Sequence, residues 1–207
     1  MREVVERFNV YNYAELSEAS KEKAKSDYLA TDIRNIDFQS MFEYDIEHLF
    51  PNSDLKFQYS LSCCQGDGVN VYGRVELCDL CNLEEKAPTL YNFDKFTEKG
   101  MKRISAYYEH TRPCICLPMN LRYNYCCADQ IDFAEDIIGE LQDMDWRNID
   151  RKLIRQFESA VKELFAKYCA EWESIGYEYL YEISDEEMNE LSEINEWEFY
   201  ENGKLYT

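Results

Sequence analysis

The 207-residue chain is poor in the residues that break regular structure, with seven glycines and four prolines. That scarcity excludes a collagen-like or low-complexity chain and argues against long flexible linkers. Histidine is nearly missing: His48 and His110 are the only two. The side chain most used for proton transfer near neutral pH is therefore confined to two positions. Each falls at the end of a predicted helix, where an imidazolium suits the helix dipole, so both read as structural or surface residues. Basic residues are outnumbered 22 to 42 by acidic ones, a formal charge of −20. A general nucleic-acid binder needs a surface rich in Lys and Arg to displace counterions from phosphates, so that class is excluded. No apolar run approaches the ~18 residues of a membrane-spanning helix. The opening Met1-Arg2-Glu3-Val4-Val5-Glu6-Arg7 lacks the apolar stretch of a secretory signal. The chain also lacks a phosphate-binding P-loop, a dinucleotide glycine fingerprint, a His-Glu-x-x-His zinc motif and a Gly-x-Ser-x-Gly elbow.

What is present suffices for a core. Hydrophobic residues make up 45% of the chain and aromatics 15%, 17 of them tyrosine, which excludes global disorder. Ser17 is placed to cap a helix over 18–29, and Asp37 to cap a second helix that carries Met41, Phe42, Ile46, Leu49 and Phe50 and ends at Pro51. Leu55, Phe57, Tyr59 and Leu61 then alternate with polar residues, as do Val69, Val71, Gly73, Val75 and Leu77. The intervening Gln65-Gly66-Asp67-Gly68 predicts a tight β-hairpin turn. Residues 78–92 read as a loop, 94–109 as a helix, and 113–127 as a third strand with room for a fourth. From Asp132 the pattern is helical. Asp150, with Ile149 and Ile154 as a hydrophobic staple, opens a long amphipathic helix that Gly176 is expected to stop. Ser184 and Glu187 form a capping box for a shorter helix, and Asn202-Gly203 marks a terminal hairpin. The expected fold is α+β: a small antiparallel sheet covered by helices, with an acidic helical C-terminal part. The expected division is 1–128, which carries the sheet, and 129–207, which is acidic and helical and ends in the hairpin, within one compact domain.

Nine cysteines, an odd number without a secretory signal, read as reduced thiols in a cytoplasm. Cys78-x-x-Cys81 has the spacing of a metal knuckle, and Cys114-x-Cys116 shares one face of an extended segment. These four are the candidate zinc ligands; Cys126-Cys127 is the alternative second pair, but on an extended segment its two thiols point to opposite faces. Against them stands the reading of free cysteine as a small buried hydrophobe, so no cofactor is assigned and zinc stays an alternative. The Gln65-Gly66-Asp67-Gly68 backbone is open to two readings, an anion cradle or a plain turn. The turn explains both glycines, and Asp67 would repel a phosphate.

Charge is the feature with most leverage. Residues 129–207 hold 22 acids against 7 bases, and residues 171–207 hold 12 acids against Lys204 alone. Solvated acidic faces serve solubility, and that is one reading. The other is a partner with a basic surface. On that reading the contact residues are Glu171, Glu173, Glu178, Glu182, Asp185, Glu186, Glu187, Glu190, Glu193, Glu196, Glu198 and Glu201, with Trp197 and Tyr200 as apolar anchors.

Three segments carry a resemblance. They are Asn12-Tyr13-Ala14-Glu15-Leu16-Ser17-Glu18-Ala19-Ser20-Lys21-Glu22-Lys23-Ala24, Tyr59-Ser60-Leu61-Ser62-Cys63-Cys64-Gln65-Gly66-Asp67-Gly68-Val69, and Glu196-Trp197-Glu198-Phe199-Tyr200-Glu201-Asn202-Gly203-Lys204. Together, and in this order, they resemble a group of uncharacterised bacteriophage and prophage proteins, although Cys64 stands where that pattern has serine. The resemblance implies a mobile-element origin, a bacterial host cytoplasm and a shared α+β architecture. It transfers no catalytic residues. The expectation it supports is a stoichiometric inhibitor of a host-defence nuclease, of the anti-CRISPR kind. Such a protein would bind a basic nucleic-acid groove through its acidic surface, without direct nucleic-acid or membrane contact. Two alternatives stand beside it: a zinc- or cysteine-dependent enzyme, and an antitoxin-like or phage assembly protein. Oligomeric state is left open.

Overall fold

A computed structural model of the chain describes residues 7–62 and 64–206. Its fold is α+β. Among the described residues it contains seven α-helices and one three-stranded antiparallel sheet of order β1-β2-β3. The elements are α1 (Glu18–Leu29), α2 (Ile33–Leu49), β1 (Asp54–Ser60), β2 (Gly68–Val75), α3 (Leu77–Lys86), α4 (Glu98–Thr111), β3 (Ile115–Leu117), α5 (Ala134–Asp143), α6 (Arg151–Tyr181) and α7 (Asp185–Ile194). The chain divides into two compact units, one of residues 1–38 and 177–207 and the other of residues 39–176. Helices α2 and α6 each contribute residues to both.

In the 39–176 unit, β1 pairs with β2 from Asp54↔Arg74 to Ser60↔Gly68, and β3 joins β2 through Gly73↔Leu117 and Val75↔Ile115. The alternation of Leu55, Phe57 and Tyr59 turns one sheet face to α2, where the Phe57 ring lies 4.3 Å from that of Phe42. Phe42 also stacks on Trp172 of α6 at 4.3 Å, and Phe50 stacks on Phe165 at 5.5 Å. Burying such rings is the largest apolar contribution available to this core. Three of the polar residues that enter it are held by hydrogen bonds. Asp45 accepts from the Tyr168 hydroxyl at 2.7 Å and from the Trp172 indole at 3.1 Å. Asn70 accepts from the Cys127 N–H at 2.9 Å and donates to the Pro118 carbonyl at 3.2 Å. Asp79 is fully buried and accepts from the Asn52 N–H, the Asn52 side-chain amide and the Ser53 hydroxyl at 3.0, 2.7 and 2.6 Å.

Four local expectations need correction. Helix α2 begins at Ile33, four residues before Asp37, with its first bond from the Ile36 N–H to the Asp32 carbonyl. Residues 77–86 are helical, because Leu77, Leu80 and Leu83 recur every three residues and all are buried. The 113–127 segment yields one short strand. Beyond it the Asn120 side chain accepts from the Arg122 and Tyr123 N–H groups at 3.0 and 2.9 Å, a local turn that competes with pairing. Gly176 does not stop α6, which continues to Tyr181. A single glycine costs a helix only about 1 kcal/mol, which flanking turns outweigh.

The hairpin itself forms, but its connection runs from Ser60 to Gly68 and is not a tight two-residue turn. Asp67 organises it by accepting from the Ser60 hydroxyl at 2.6 Å and the Cys64 N–H at 2.5 Å. These donors hold the Asp67 carboxyl below the usual carboxylate range. Gly66 adopts a φ of 94°, and a Cβ there would lie 2.3 Å from the Tyr123 ring. Cys63 lies outside the described residues.

Candidate functional site

The unit of residues 1–38 and 177–207 carries ten of the twelve candidate contact acids. Its core is Tyr13, Leu16, Ala24, Met188 and Phe199, with Tyr11, Tyr28, Ile183, Trp197 and Leu205 packed against it. The two ends of the chain are joined by backbone bonds between Tyr11 and Phe199, with N···O distances of 2.9 and 2.8 Å. The terminal turn closes through Tyr200 N–H to the Lys204 carbonyl at 2.8 Å. Gly203 is required there. Its φ is 81°, and a Cβ would meet the Ser20 carbonyl oxygen at 2.0 Å. Ser20 in turn donates to the Glu201 carbonyl at 2.6 Å.

Helix α7 opens as its sequence predicts. Ser184 accepts from the Glu187 N–H at 3.1 Å, and Glu187 reaches back to the Ser184 N–H at 2.8 Å. The Ser184 N–H and hydroxyl lower the Glu187 pKa. Met188 and Ser192 are buried, and Leu191 is half-buried. Glu186, Glu190 and Glu193, at spacings of four and three residues, lie on the opposite, exposed face. At 1.5 Å rise per residue they are about 6 and 4.5 Å apart along the axis.

The other acids divide by what they already hold. Asp185 accepts from the Tyr13 hydroxyl at 2.9 Å and pairs with Lys25 at 2.8 Å. The Lys25 ammonium first, and then the Tyr13 hydroxyl, push its pKa down. Burial, and then the Asp185 carboxylate, push that of Tyr13 up. Glu18, Glu22 and Asp27 engage Lys21, Lys25 and Lys23 at 3.2, 2.5 and 2.7 Å, so the lysines of α1 are committed to acids nearby. Glu178, Glu182, Glu186, Glu190, Glu193, Glu196, Glu198 and Glu201 are exposed, and none forms an ion pair among the described residues. Glu171 and Glu173 belong to the 39–176 unit, where Glu171 faces Lys167 at 3.7 Å.

Of the two apolar anchors, Trp197 is half-buried against Tyr28, with ring centroids 5.6 Å apart. Tyr200 is half-buried, edge-on to Tyr206 at 5.6 Å and tilted against Phe8 at 5.2 Å. Both rings therefore have an internal packing role.

The cysteines do not converge. Among the described residues no three or more His, Cys, Asp or Glu side chains gather where they could hold a metal ion. Cys78 and Cys81 lie on α3, and burial raises both thiols' pKa. Cys114 precedes β3 and Cys116 is its middle residue; the neighbouring Cys114 thiol, and then burial, push Cys116 up to about 11. Sequence reasoning missed a different pair. The Cys126 sulfur lies 3.8 Å from the Phe165 carbonyl and accepts from the Ala128 N–H at 3.4 Å; the neighbouring Cys169 thiol on α6 first, and then that N–H, hold Cys126 below its ordinary pKa, while Cys126 raises that of Cys169. The 43-residue separation of the two left no spacing motif to read. His110 is occupied structurally, with Nδ1 2.7 Å from the Ala106 carbonyl and its ring 4.5 Å from that of Trp146.

No protein-family model, no curated protein and no solved structure matches this chain. No helix among the described residues is long and apolar enough to cross a membrane.

Proposed function

We propose that this protein acts by stoichiometric binding: it is a phage-encoded inhibitor of a host-defence nuclease, of the anti-CRISPR kind, and presents an acidic face to a groove built for nucleic acid. The observation that supports this reading is the set of exposed carboxylates on the outer face of α7 and the residues after it, which no lysine or arginine of the described chain neutralises. Acids without an ion-pair partner recur about every 4.5–6 Å along the helix, a like-charge row of the same order as, though wider than, the ~3.4 Å axial rise of a nucleic-acid strand. Lys and Arg in a partner's groove are drawn to charge and shape, and a molecule at −20 is steered toward them over several ångströms. Asp185 and Glu187 hold the helix in place and are not contact residues on this reading; Glu186, Glu190, Glu193 and Glu198 are.

The test is a pull-down with a purified CRISPR effector nuclease across a salt series. Capture should weaken steeply as salt rises. Reversal of Glu186, Glu190, Glu193 and Glu198 to lysine should lower it by at least ~10-fold. A control that reverses Glu43, Glu47, Glu84 and Glu85, all exposed on the other unit, changes net charge equally. If the two variants lose capture to the same extent, only overall charge matters. If neither loses it, the proposed face is not used.

A further inference from the structure

The unit that carries the acidic face also holds a cavity of about 330 Å3. Its walls come from α1 (Ala24, Tyr28), α7 (Met188) and the terminal segment (Trp197, Phe199, Leu205), and are apolar or aromatic. Two charged residues line it, Asp27 and Lys204. Asp27 is neutralised by Lys23 at 2.7 Å. Lys204 forms no ion pair among the described residues, and it is the one base in residues 171–207. A second positive charge stands behind the Tyr28 wall. The Arg34 guanidinium is 6% exposed and lies 5.7 Å from the Tyr28 ring centroid and 4.4 Å from that of Tyr179. Its Nε has no hydrogen-bond partner, and the side chain makes no ion pair among the described residues. Burial raises the Tyr28 pKa, and Arg34 and Asp37 act on it in opposite directions.

In a chain with nearly twice as many acids as bases, a greasy cavity bordered by a lysine that forms no ion pair among the described residues selects for an apolar molecule with an anionic end. We propose that this cavity binds a small amphipathic carboxylate, its ring or alkyl body between Tyr28, Trp197 and Met188 and its carboxylate on the Lys204 ammonium. The volume equals that of roughly ten liquid waters, which sets the ligand at about 10–15 non-hydrogen atoms. The inference concerns a face of the unit distinct from the outer carboxylates of α7, and it does not depend on the inhibitor reading.

The test titrates purified, 15N-labelled full chain, with no partner present, using three isosteric probes: 4-phenylbutyrate, 4-phenylbutanol and 4-phenylbutylamine. The readout is the indole N–H resonance of Trp197, separated from the other two indoles by Trp146→Phe and Trp172→Phe. The acid should shift that resonance and bind about 10-fold tighter than the alcohol, with the amine weakest, since a charge-assisted bond to Lys204 separates them. Lys204→Met should bring the acid down to the alcohol's affinity and leave the alcohol unchanged, while Lys204→Arg restores most of the difference. Lys204 is exposed, so these variants keep the fold; unchanged indole resonances in the free protein would verify that. No shift of the Trp197 indole with any probe up to ~5 mM, an amine as tight as the acid, or an unaltered acid affinity in Lys204→Met would each overturn the assignment.

Discussion

Asp79 offers the sharpest test of what holds the sheet-bearing unit together. Its carboxylate is fully buried and accepts three hydrogen bonds, two from Asn52 and one from Ser53. Ser53 is itself bonded by the Glu76 N–H at 2.9 Å, so one side chain ties the α2–β1 turn to the start of α3. The first turn of α3 also favours a negative charge through the helix dipole. Asp79→Ala leaves three donors facing a hole. Bonds to a charged acceptor contribute about 1.5–3 kcal/mol each, but the orphaned donors partly relax toward one another or water, so a net loss of about 3–5 kcal/mol is expected. For a chain of this size each kcal/mol shifts Tm by about 2–4 °C, so a loss in mid-range lowers it by roughly 8–16 °C. Asp79→Asn keeps the shape but turns an amide N–H2 toward existing donors, and should cost about half as much. Ser53→Ala removes one acceptor bond and one donor bond, and should cost about 1–2 kcal/mol. Urea denaturation followed by tryptophan fluorescence and circular dichroism measures all three. An Asp79→Ala variant within about 1 kcal/mol of the parent, at unchanged m-value, would refute the reasoning, because the three bonds would then contribute no more than water does.

Two further outcomes follow from groups with displaced pKa values. Burial acts to raise the Glu158 pKa, but the Phe133 and Ala134 N–H groups, at 2.8 and 2.7 Å, and Lys162 outweigh it and leave it lowered. A depressed carboxyl contributes stability that is fully present above the ordinary value of 4.5 and is lost as pH falls through the folded value. Stability measured from pH 7 to pH 3 should therefore fall less steeply in Glu158→Gln than in the parent, and parallel curves would rule the idea out. Cys126, held below its ordinary pKa by the Cys169 thiol and the Ala128 N–H, should alkylate with iodoacetamide at a lower pH than Cys78 or Cys81, whose values burial raises. Peptide mapping after a short pulse reads this directly. Replacing Cys169 with alanine should shift the Cys126 profile upward, and an unmoved profile would show that the pair does not interact.

Period and caps made much of the architecture legible. The strict alternation of 55–61 and 69–77 gave the hairpin, and Ser17, Asp150 and Ser184 marked helix starts that the structure keeps. What failed to show was structure set by long-range contact. The 77–86 helix looked like a loop because Leu77 also completed a strand alternation, and a three-residue leucine spacing over one short stretch is a weak helical signal. The hairpin connection reads as a tight turn because Asp-Gly suits one, whereas in the fold the Asp67 carboxylate is taken up by Ser60 and Cys64. The acidic C-terminal stretch was visible as composition, but composition cannot separate acids that hold the molecule together from acids that face outward. Asp185 and Glu187 belong to the first kind only because Tyr13, Lys25 and Ser184 come within bonding distance. The Lys204 cavity left no trace in sequence, since its walls are drawn from positions 24–33 and 188–205.

That union of distant segments has a consequence for how the protein comes into being. Residues 39–176 are contiguous and can collapse while translation continues. The Tyr11–Phe199 pairing and the seat of Gly203 on Ser20 must wait until residues 199–203 have left the ribosome. Until then the apolar side of α1, with Ala24 and Tyr28, has no cover from Met188, Phe199 or Leu205. A ribosome that stalls or terminates before residue 199 would release a chain whose first unit is finished and whose second has no means to close.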